Sequence, residues 1–155
     1  MIKVLFVCLG NICRSPMAEF VFKDLLEKEG ETSKFKVDSA ATSYEEEGNG
    51  IYRNAAAKLR EKGIKFGEHE ARRIQKEDYE KYDYILAMET RNIDGILRIV
   101  GTDQKKKICR ILDYSKNPRD ISDPWYTGDF EQAYNDILEG VKAFYNHIKK
   151  DSKND

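Results

Sequence analysis

Two hydrophobic periodicities alternate along this chain. The start, Met1-Ile2-Lys3-Val4-Leu5-Phe6-Val7, is a short apolar run rich in β-branched residues, and Ile2–Val7 reads as a buried strand. Ser15-Pro16 then opens a helix, because serine is a favoured N-cap and proline a favoured first helical residue. Met17, Ala18, Val21, Phe22 and Leu25 follow at helical spacing, and Gly30 supplies a stop. Phe35–Ala40 fits a second strand, and Asn54–Glu61 a second helix closed by Gly63. Tyr84–Met88 fits a third strand, followed by a helix from Thr90 to about Val100 and a fourth strand over Lys107–Ile111. The last helix has the clearest pattern. Phe130, Ala133, Tyr134, Ile137, Leu138, Val141, Phe144, Tyr145 and Ile148 fall on one stripe of helical period, which reads as a core face. The tail Lys149–Asp155 is expected to fray.

Strands alternating with helices predict an α/β fold, a single-domain parallel sheet with helices on both faces. Ligands in such sheets bind at the carboxyl ends of the strands, near a topological switch point. The first such end is Val7-Cys8, so the search for chemistry begins there.

A length of 155 residues fits about one domain. A domain of this size buries roughly 68–70% of its unfolded surface and needs no disulfide or metal to fold. With 40% hydrophobic and 35% charged residues, the composition excludes a disordered chain. Twenty-seven basic and 28 acidic residues give a net charge of -1, which offers no general attraction to nucleic acid or to an anionic membrane. No apolar run approaches the roughly 18 residues of a membrane span, and the apolar start is too short for a signal peptide. Three cysteines, two of them five residues apart, point to reduced thiols in a cytoplasmic protein.

The loop after the first strand is Cys8-Leu9-Gly10-Asn11-Ile12-Cys13-Arg14-Ser15, a C-x5-R-S skeleton between a strand and a helix. The bare spacing is weak, but its context is specific. Glycine and asparagine sit where unusual backbone angles are tolerated, and a helix start follows. Backbone N–H groups from Leu9 through Ser15, together with a helix N-terminus, form a positive nest for an anion. Arg14 adds a planar fork that can grip two phosphate oxygens. The field of such a nest favours a thiolate at its centre, and a thiolate facing a phosphoryl group is a nucleophile. There is no G-K-[ST] ending, so Walker-type nucleotide binding does not fit. The alternative, a buried core thiol beside a surface arginine, leaves Gly10, Asn11, Ser15 and Pro16 in register without a reason.

The stretch V-C-L-G-N-I-C-R-S-P-M-A-E resembles the low-molecular-weight protein tyrosine phosphatases. The resemblance continues through Asp38-Ser39-Ala40-Ala41-Thr42-Ser43, Tyr84-Ile85-Leu86-Ala87-Met88 and Asp123-Pro124-Trp125-Tyr126, in the family's order over nearly the whole chain. It implies a four-stranded parallel sheet of the phosphotyrosine phosphatase I type, with a phosphatase domain over 1–150 and a tail over 151–155. It also implies hydrolysis of phosphotyrosine in proteins through a phosphocysteine, with no cofactor or metal and with inorganic phosphate as product. A monomer is expected.

Under the same resemblance Asp123 is the general acid, protonating the leaving phenolate and then activating water. Pro124 biases Asp123 to an extended conformation suited to a projecting carboxyl group. Trp125 and Tyr126 are expected to wall a slot for an aromatic ring, with Ile12 against its face and Tyr44 as the opposite wall. Glu45-Glu46-Glu47 stands where the family pattern has an aromatic, and reads as a solvated face. Asn11, Ser15, Ser39 and His69 match family positions that hold the loop in shape. The Ser15 hydroxyl could also donate to the Cys8 thiolate while capping the helix. Cys8 and Cys13 are expected to form a redox pair, Cys13 capturing oxidised Cys8 as a disulfide. His147 has no role, and Glu89 stands where the family often carries aspartate.

Three enzyme readings compete. Protein arginine phosphatases of the same family carry threonine where this chain has Ile12, and a branched apolar side chain suits a phenyl ring better than a guanidinium. Thiol-coupled arsenate reductases need further redox cysteines, and only Cys109 is available. A non-catalytic phosphate-binding module, or a phosphocysteine carrier, would not need Cys8, Arg14 and Asp123 together. Zinc binding by Cys8, Cys13, Cys109 and a histidine lacks ligand spacing.

Overall fold

The computed structural model describes residues 1–154. The elements run β1 (Ile2–Cys8), α1 (Arg14–Lys28), β2 (Phe35–Ala41), α2 (Arg53–Glu61), α3 (Asp78–Lys81), β3 (Tyr84–Ala87), α4 (Thr90–Val100), β4 (Ile108–Arg110), α5 (Pro124–Thr127) and α6 (Phe130–Asn154). The four strands form one parallel sheet in the order β2-β1-β3-β4. β1 pairs with β2 on one side and β3 on the other, so that Val4 lies opposite both Val37 and Tyr84. The expected single-domain α/β sheet is therefore present. Its strand order diverges at β1, and the loop after β1 emerges at the switch point.

β1 is apolar without alternation because both its faces are covered. Val4, Phe6 and Cys8 point into the core packed by α1 and α6, while Leu5 and Val7 join the core that includes Ile96 and Val100 of α4. The aromatic residues of the first core gather on Phe22. Its ring lies 5.5 Å from that of Phe35, 5.6 Å from Phe144 and 6.0 Å from Phe6, centroid to centroid. The α6 stripe read from the sequence packs into this core, with Leu138 at its margin. α6 also crosses close to Ile111, and a Cβ on Gly140 would meet Ile111 Cγ1 at 2.7 Å. The helical backbone continues through Asn154, and Asp155 of the tail lies outside the described residues.

Two short helices, α3 and α5, are absent from the hydrophobic pattern, since four residues make little more than one turn and carry no readable period. α5 matters for the site. Asp123 caps it, with Oδ1 accepting from Trp125 N at 3.0 Å. Gly128, at φ 76, ends it in the left-handed region where glycine is favoured.

Candidate active site

The loop from Cys8 to Cys13 curls because four of its carbonyls are fastened outward by three separate segments. Thr42 N donates to Cys8 O at 3.0 Å, Ser43 N to Leu9 O at 3.0 Å and Tyr52 N to Ile12 O at 2.8 Å. His69 Nε2 donates to Asn11 O at 2.6 Å. Asn11 sits at φ 60, a left-handed conformation that asparagine tolerates better than most residues. With the carbonyls held outside, the Asn11 N–H points inward to Cys8 Sγ at 3.2 Å.

Asn11 also spends its amide on the loop. Nδ2 donates to Ser15 Oγ at 2.7 Å and to Ser39 Oγ at 2.9 Å, and Oδ1 accepts from Arg72 N at 3.2 Å. Ser15 Oγ lies 3.0 Å from Cys8 Sγ. Ser15 Oγ accepts from Asn11, and its one proton faces Cys8 Sγ at 3.0 Å and, at the longer distance of 3.4 Å, Ala40 O. Ser39 Oγ passes its own proton to Glu19 Oε1 at 2.6 Å, and Glu19 Oε2 is paired with Lys23 at 2.6 Å. A hydrogen-bonded chain thus runs from Cys8 through Ser15, Asn11 and Ser39 to Glu19. All four residues expected to support the loop, Asn11, Ser15, Ser39 and His69, are within this network.

The helix start differs from the expected one. α1 begins at Arg14 with Cys13 at the cap position and no side-chain cap. Ser15 and Pro16 lie inside the first turn, and the Ser15 hydroxyl is turned to Cys8 and Asn11. A loop this tightly tied forces helical geometry two residues earlier than the serine-proline signal indicates.

Arg14 is 1% exposed, and both its terminal nitrogens have partners. Nη1 donates to Ile121 O at 2.8 Å, while Nη2 lies 3.3 Å from Glu89 Oε1 and 3.2 Å from Asp123 Oδ2. Burial opposes its charge, but Cys8, Asp123 and Glu89 together outweigh burial and hold the guanidinium above its ordinary range. Arg14 thereby bolts the loop after β1 to the segment carrying Asp123. That segment is anchored on both sides. Arg119 bridges Asp136 at 2.8 Å and Glu139 at 3.0 Å on α6, and Asp120 accepts from Arg110 at 3.0 Å and from Thr90 N at 2.9 Å.

The pocket above the loop holds about 70 Å³, room for a group of the size of a tetrahedral oxyanion. Its floor is the loop from Cys8 to Arg14, and its walls are Asp123, Trp125, Tyr126, Glu45 and Glu46. Trp125 remains 52% exposed and rests edge-on against Tyr52 at 4.8 Å between centroids. Tyr44 does not line the pocket as expected. Its ring lies under the Arg73 guanidinium at 4.2 Å and its hydroxyl accepts from Arg73 Nη1 at 3.0 Å. That stacking draws Tyr44 away, and the carboxylates of the acidic run, read from the sequence as a solvated face, form that wall instead.

Several positioning residues have no signal in single-residue patterns. Glu19 is the last residue of the loop-helix motif, and an acid on a helix otherwise buried at Phe20, Val21 and Phe22 marks it. Tyr52 meets Ile12 and Arg72 meets Asn11 across segments that only folding brings together, and Arg119 reaches Asp136 and Glu139 on α6. Cys8, Cys13 and Cys109 are free thiols.

The pocket thus joins a buried arginine, a thiol at its floor and a carboxyl group on the facing loop, in a space that fits an oxyanion. The model of the low molecular weight phosphotyrosine protein phosphatase family matches residues 3–154, and the chain belongs to that family. It is 41% identical over 155 residues to the low molecular weight protein-tyrosine-phosphatase YfkJ of Bacillus subtilis, covering 99% of each chain. It is 42% identical to the mouse low molecular weight phosphotyrosine protein phosphatase over 147 residues, 92% of each. The crystal structure of YfkJ superposes with a TM-score of 0.94, covering 97% of this chain and 96% of that one. A Drosophila arginine phosphatase superposes at 0.84 with 33% identity, covering 96% of this chain and 98% of that one.

Cys13 gives a testable consequence of the packing. Burial first, then the neighbouring Cys8 and Asp123, push its thiol from 9.0 up to about 12, with Arg14 pulling the other way. Between those values the folded chain keeps a proton that the unfolded chain loses, so stability falls as pH rises. Denaturant unfolding of wild type and Cys13→Ser should diverge above pH 9.0, wild type losing up to about 1.4 kcal/mol more per pH unit. Parallel curves would show that Cys13 is not held protonated by the fold.

Proposed function

We propose that the chain hydrolyses phosphotyrosine in proteins through a phosphocysteine on Cys8, without a metal. The observation that carries this reading is the convergence on one pocket of Cys8 Sγ, with Ser15 Oγ at 3.0 Å and Asn11 N at 3.2 Å, the buried Arg14 fork and the Asp123 carboxyl group.

The Cys8 thiolate attacks phosphorus as the bond to the phenolic oxygen breaks, and Asp123 delivers its proton to that oxygen. Water then attacks the phosphocysteine and gives a proton to Asp123. The sulfur–phosphorus bond breaks, releasing inorganic phosphate and the thiolate, which Ser15 and Asn11 stabilise as a leaving group. Arg14 and the loop N–H groups supply the positive charge that the transferring phosphoryl group needs. Every residue invoked lies on one chain, so a monomer suffices, and a reducing cytoplasm keeps Cys8 usable.

The reading is tested by steady-state hydrolysis of p-nitrophenyl phosphate, a phosphotyrosine peptide and phosphoarginine with EDTA present. Wild type should turn over the first two and Cys8→Ser neither. Asp123→Asn should lose roughly 10²–10⁴-fold on esters with poor leaving groups and far less on very good ones. Turnover by Cys8→Ser, or equal losses across the leaving-group series, would refute the assignment.

Glu45 and Glu46 on the pocket wall favour a second reading, since carboxylates there suit a phosphorylated guanidinium. Ile12 opposes it by presenting an apolar face. Ile12→Thr should therefore shift the ratio of kcat/KM from phosphotyrosine toward phosphoarginine. A wild type that already prefers phosphoarginine would make the second reading the correct one.

Cys8 and Cys13 are proposed to act as a redox pair. Peroxide would convert the Cys8 thiolate to a sulfenic acid, and the Cys13 thiol would displace water from it to form a disulfide. Peroxide-treated wild type should recover fully in dithiothreitol and show a Cys8–Cys13 linked peptide by mass spectrometry. Cys13→Ser should be inactivated as fast and recover less; sulfinic or sulfonic Cys8 alone in wild type would exclude the protective role.

A further inference from the structure

A second concavity lies beside the first, and nothing in the proposed hydrolysis uses it. It encloses about 520 Å³ and is bordered by Arg73, Arg91 and Arg98, with Asp94 and Glu89 as its acids. Leu9 lines both this groove and the catalytic pocket, so only one side chain of the phosphate loop separates them.

The charges in the groove are unequally committed. Among the described residues the arginine ion pairs are made by Arg14, Arg72, Arg110 and Arg119, and none by Arg73, Arg91 or Arg98. Glu89 is spent on Arg14, which leaves Asp94 as the carboxylate facing three guanidinium groups. Arg73 is fixed in place, its Nε donating to Thr42 O at 3.1 Å and its plane resting on Tyr44. Arg91 and Arg98 stand two turns apart on α4, which places them on one helix face. The floor is lowered at Gly95, where the helix runs so close to the end of β2 that a Cβ would meet Thr42 at 3.0 Å.

A solvated helix face would carry lone arginines as well, but on a convex surface and paired at random. Here three forks converge on a concavity of ligand size next to a site for one phosphoryl group. Guanidinium forks match the oxygens of a phosphate monoester, which carries nearly two negative charges.

We infer that this groove binds a second phosphoryl group on the substrate, carried a few residues from the phosphotyrosine, so that the preferred substrates are multiply phosphorylated segments. The inference rests on the phosphotyrosine reading of the catalytic pocket. A chain crossing Leu9 would place the scissile residue over Cys8 and the second phosphate among Arg73, Arg91 and Arg98. The same phosphate monoester chemistry could also arrive as a free anion, and the two sources differ in what they change.

The test compares wild type with Arg91→Ala/Arg98→Ala on three probes. These are p-nitrophenyl phosphate, phosphotyrosine peptides with phosphoserine a few residues to either side, and the same peptides with serine in its place. Wild type should favour one or more of the doubly phosphorylated peptides by about fivefold in kcat/KM, and the variant should lose that preference. Both proteins should hydrolyse p-nitrophenyl phosphate and the serine peptides equally. The preference should fade in about 0.5 M NaCl. Equal rates on both peptide sets at every spacing in wild type, or a preference retained by the variant, would overturn the inference. So would an effect of free phosphoserine on p-nitrophenyl phosphate turnover that the variant abolishes in the absence of any peptide preference, since that would make the groove an effector site. Wild type inactive on every phosphotyrosine substrate would instead overturn the catalytic reading.

Discussion

A guanidinium buried to the extent of Arg14 cannot stand alone, because leaving a buried charge without its partner costs about 3–5 kcal/mol. The structure meets that demand from three directions. Ile121 O takes one edge, while Glu89 and Asp123 share the other. Glu89 opens α4 while Ile121 and Asp123 share the loop before α5, so satisfying one side chain fixes the relative position of the loop after β1, the start of α4 and the loop before α5. The pocket follows from that constraint. Arg14 lies at its floor, Asp123 at its rim, and the distance between them is set by a hydrogen bond.

The second constraint is the conformation of the loop itself. Asn11 lies in the left-handed region, and its carbonyl and side chain are tied to His69, Arg72, Ser15 and Ser39. A nest of this kind is unstable as an isolated peptide, since nothing local rewards turning the carbonyls outward. Bonds from Thr42, Ser43 and Tyr52 supply the reward, and they come from the ends of β2 and the approach to α2. The Ser39–Glu19 bond then carries the network to a carboxylate whose other oxygen is neutralised by Lys23. Loop geometry and sheet geometry are therefore one problem: the cradle exists because β1 and β2 end side by side.

Charge is distributed unevenly around this cradle. Glu45 and Glu46 stand on the wall of the pocket above the Cys8 loop, while Arg73, Arg91 and Arg98 border the neighbouring groove. A chain with a net charge of -1 has no overall field to steer an anion, so local arrangement governs what approaches.

Much of this was legible in the residues alone. The strands, the long helices and the parallel sheet follow from apolar runs and a helical stripe, because burial on one or two faces imposes a period the chain must carry. The C-x5-R-S loop, the following helix and Asp123-Pro124 follow from local chemistry, since the nucleophile, fork and acid proposed there must be particular residue types. The start of α1, the short helices α3 and α5 and the place of Tyr44 were decided by tertiary structure. Four-residue helices hold too few positions to show a period, and the helix start yields to a loop fastened from outside. Tyr44 turns to Arg73, and the acidic run takes its wall. Glu19, Tyr52, Arg72, Arg119 and the arginine groove likewise become visible only in the fold, because each acts on a partner distant in sequence. One-dimensional order records which side chains are available; the packing of β1 between β2 and β3 decides which of them meet.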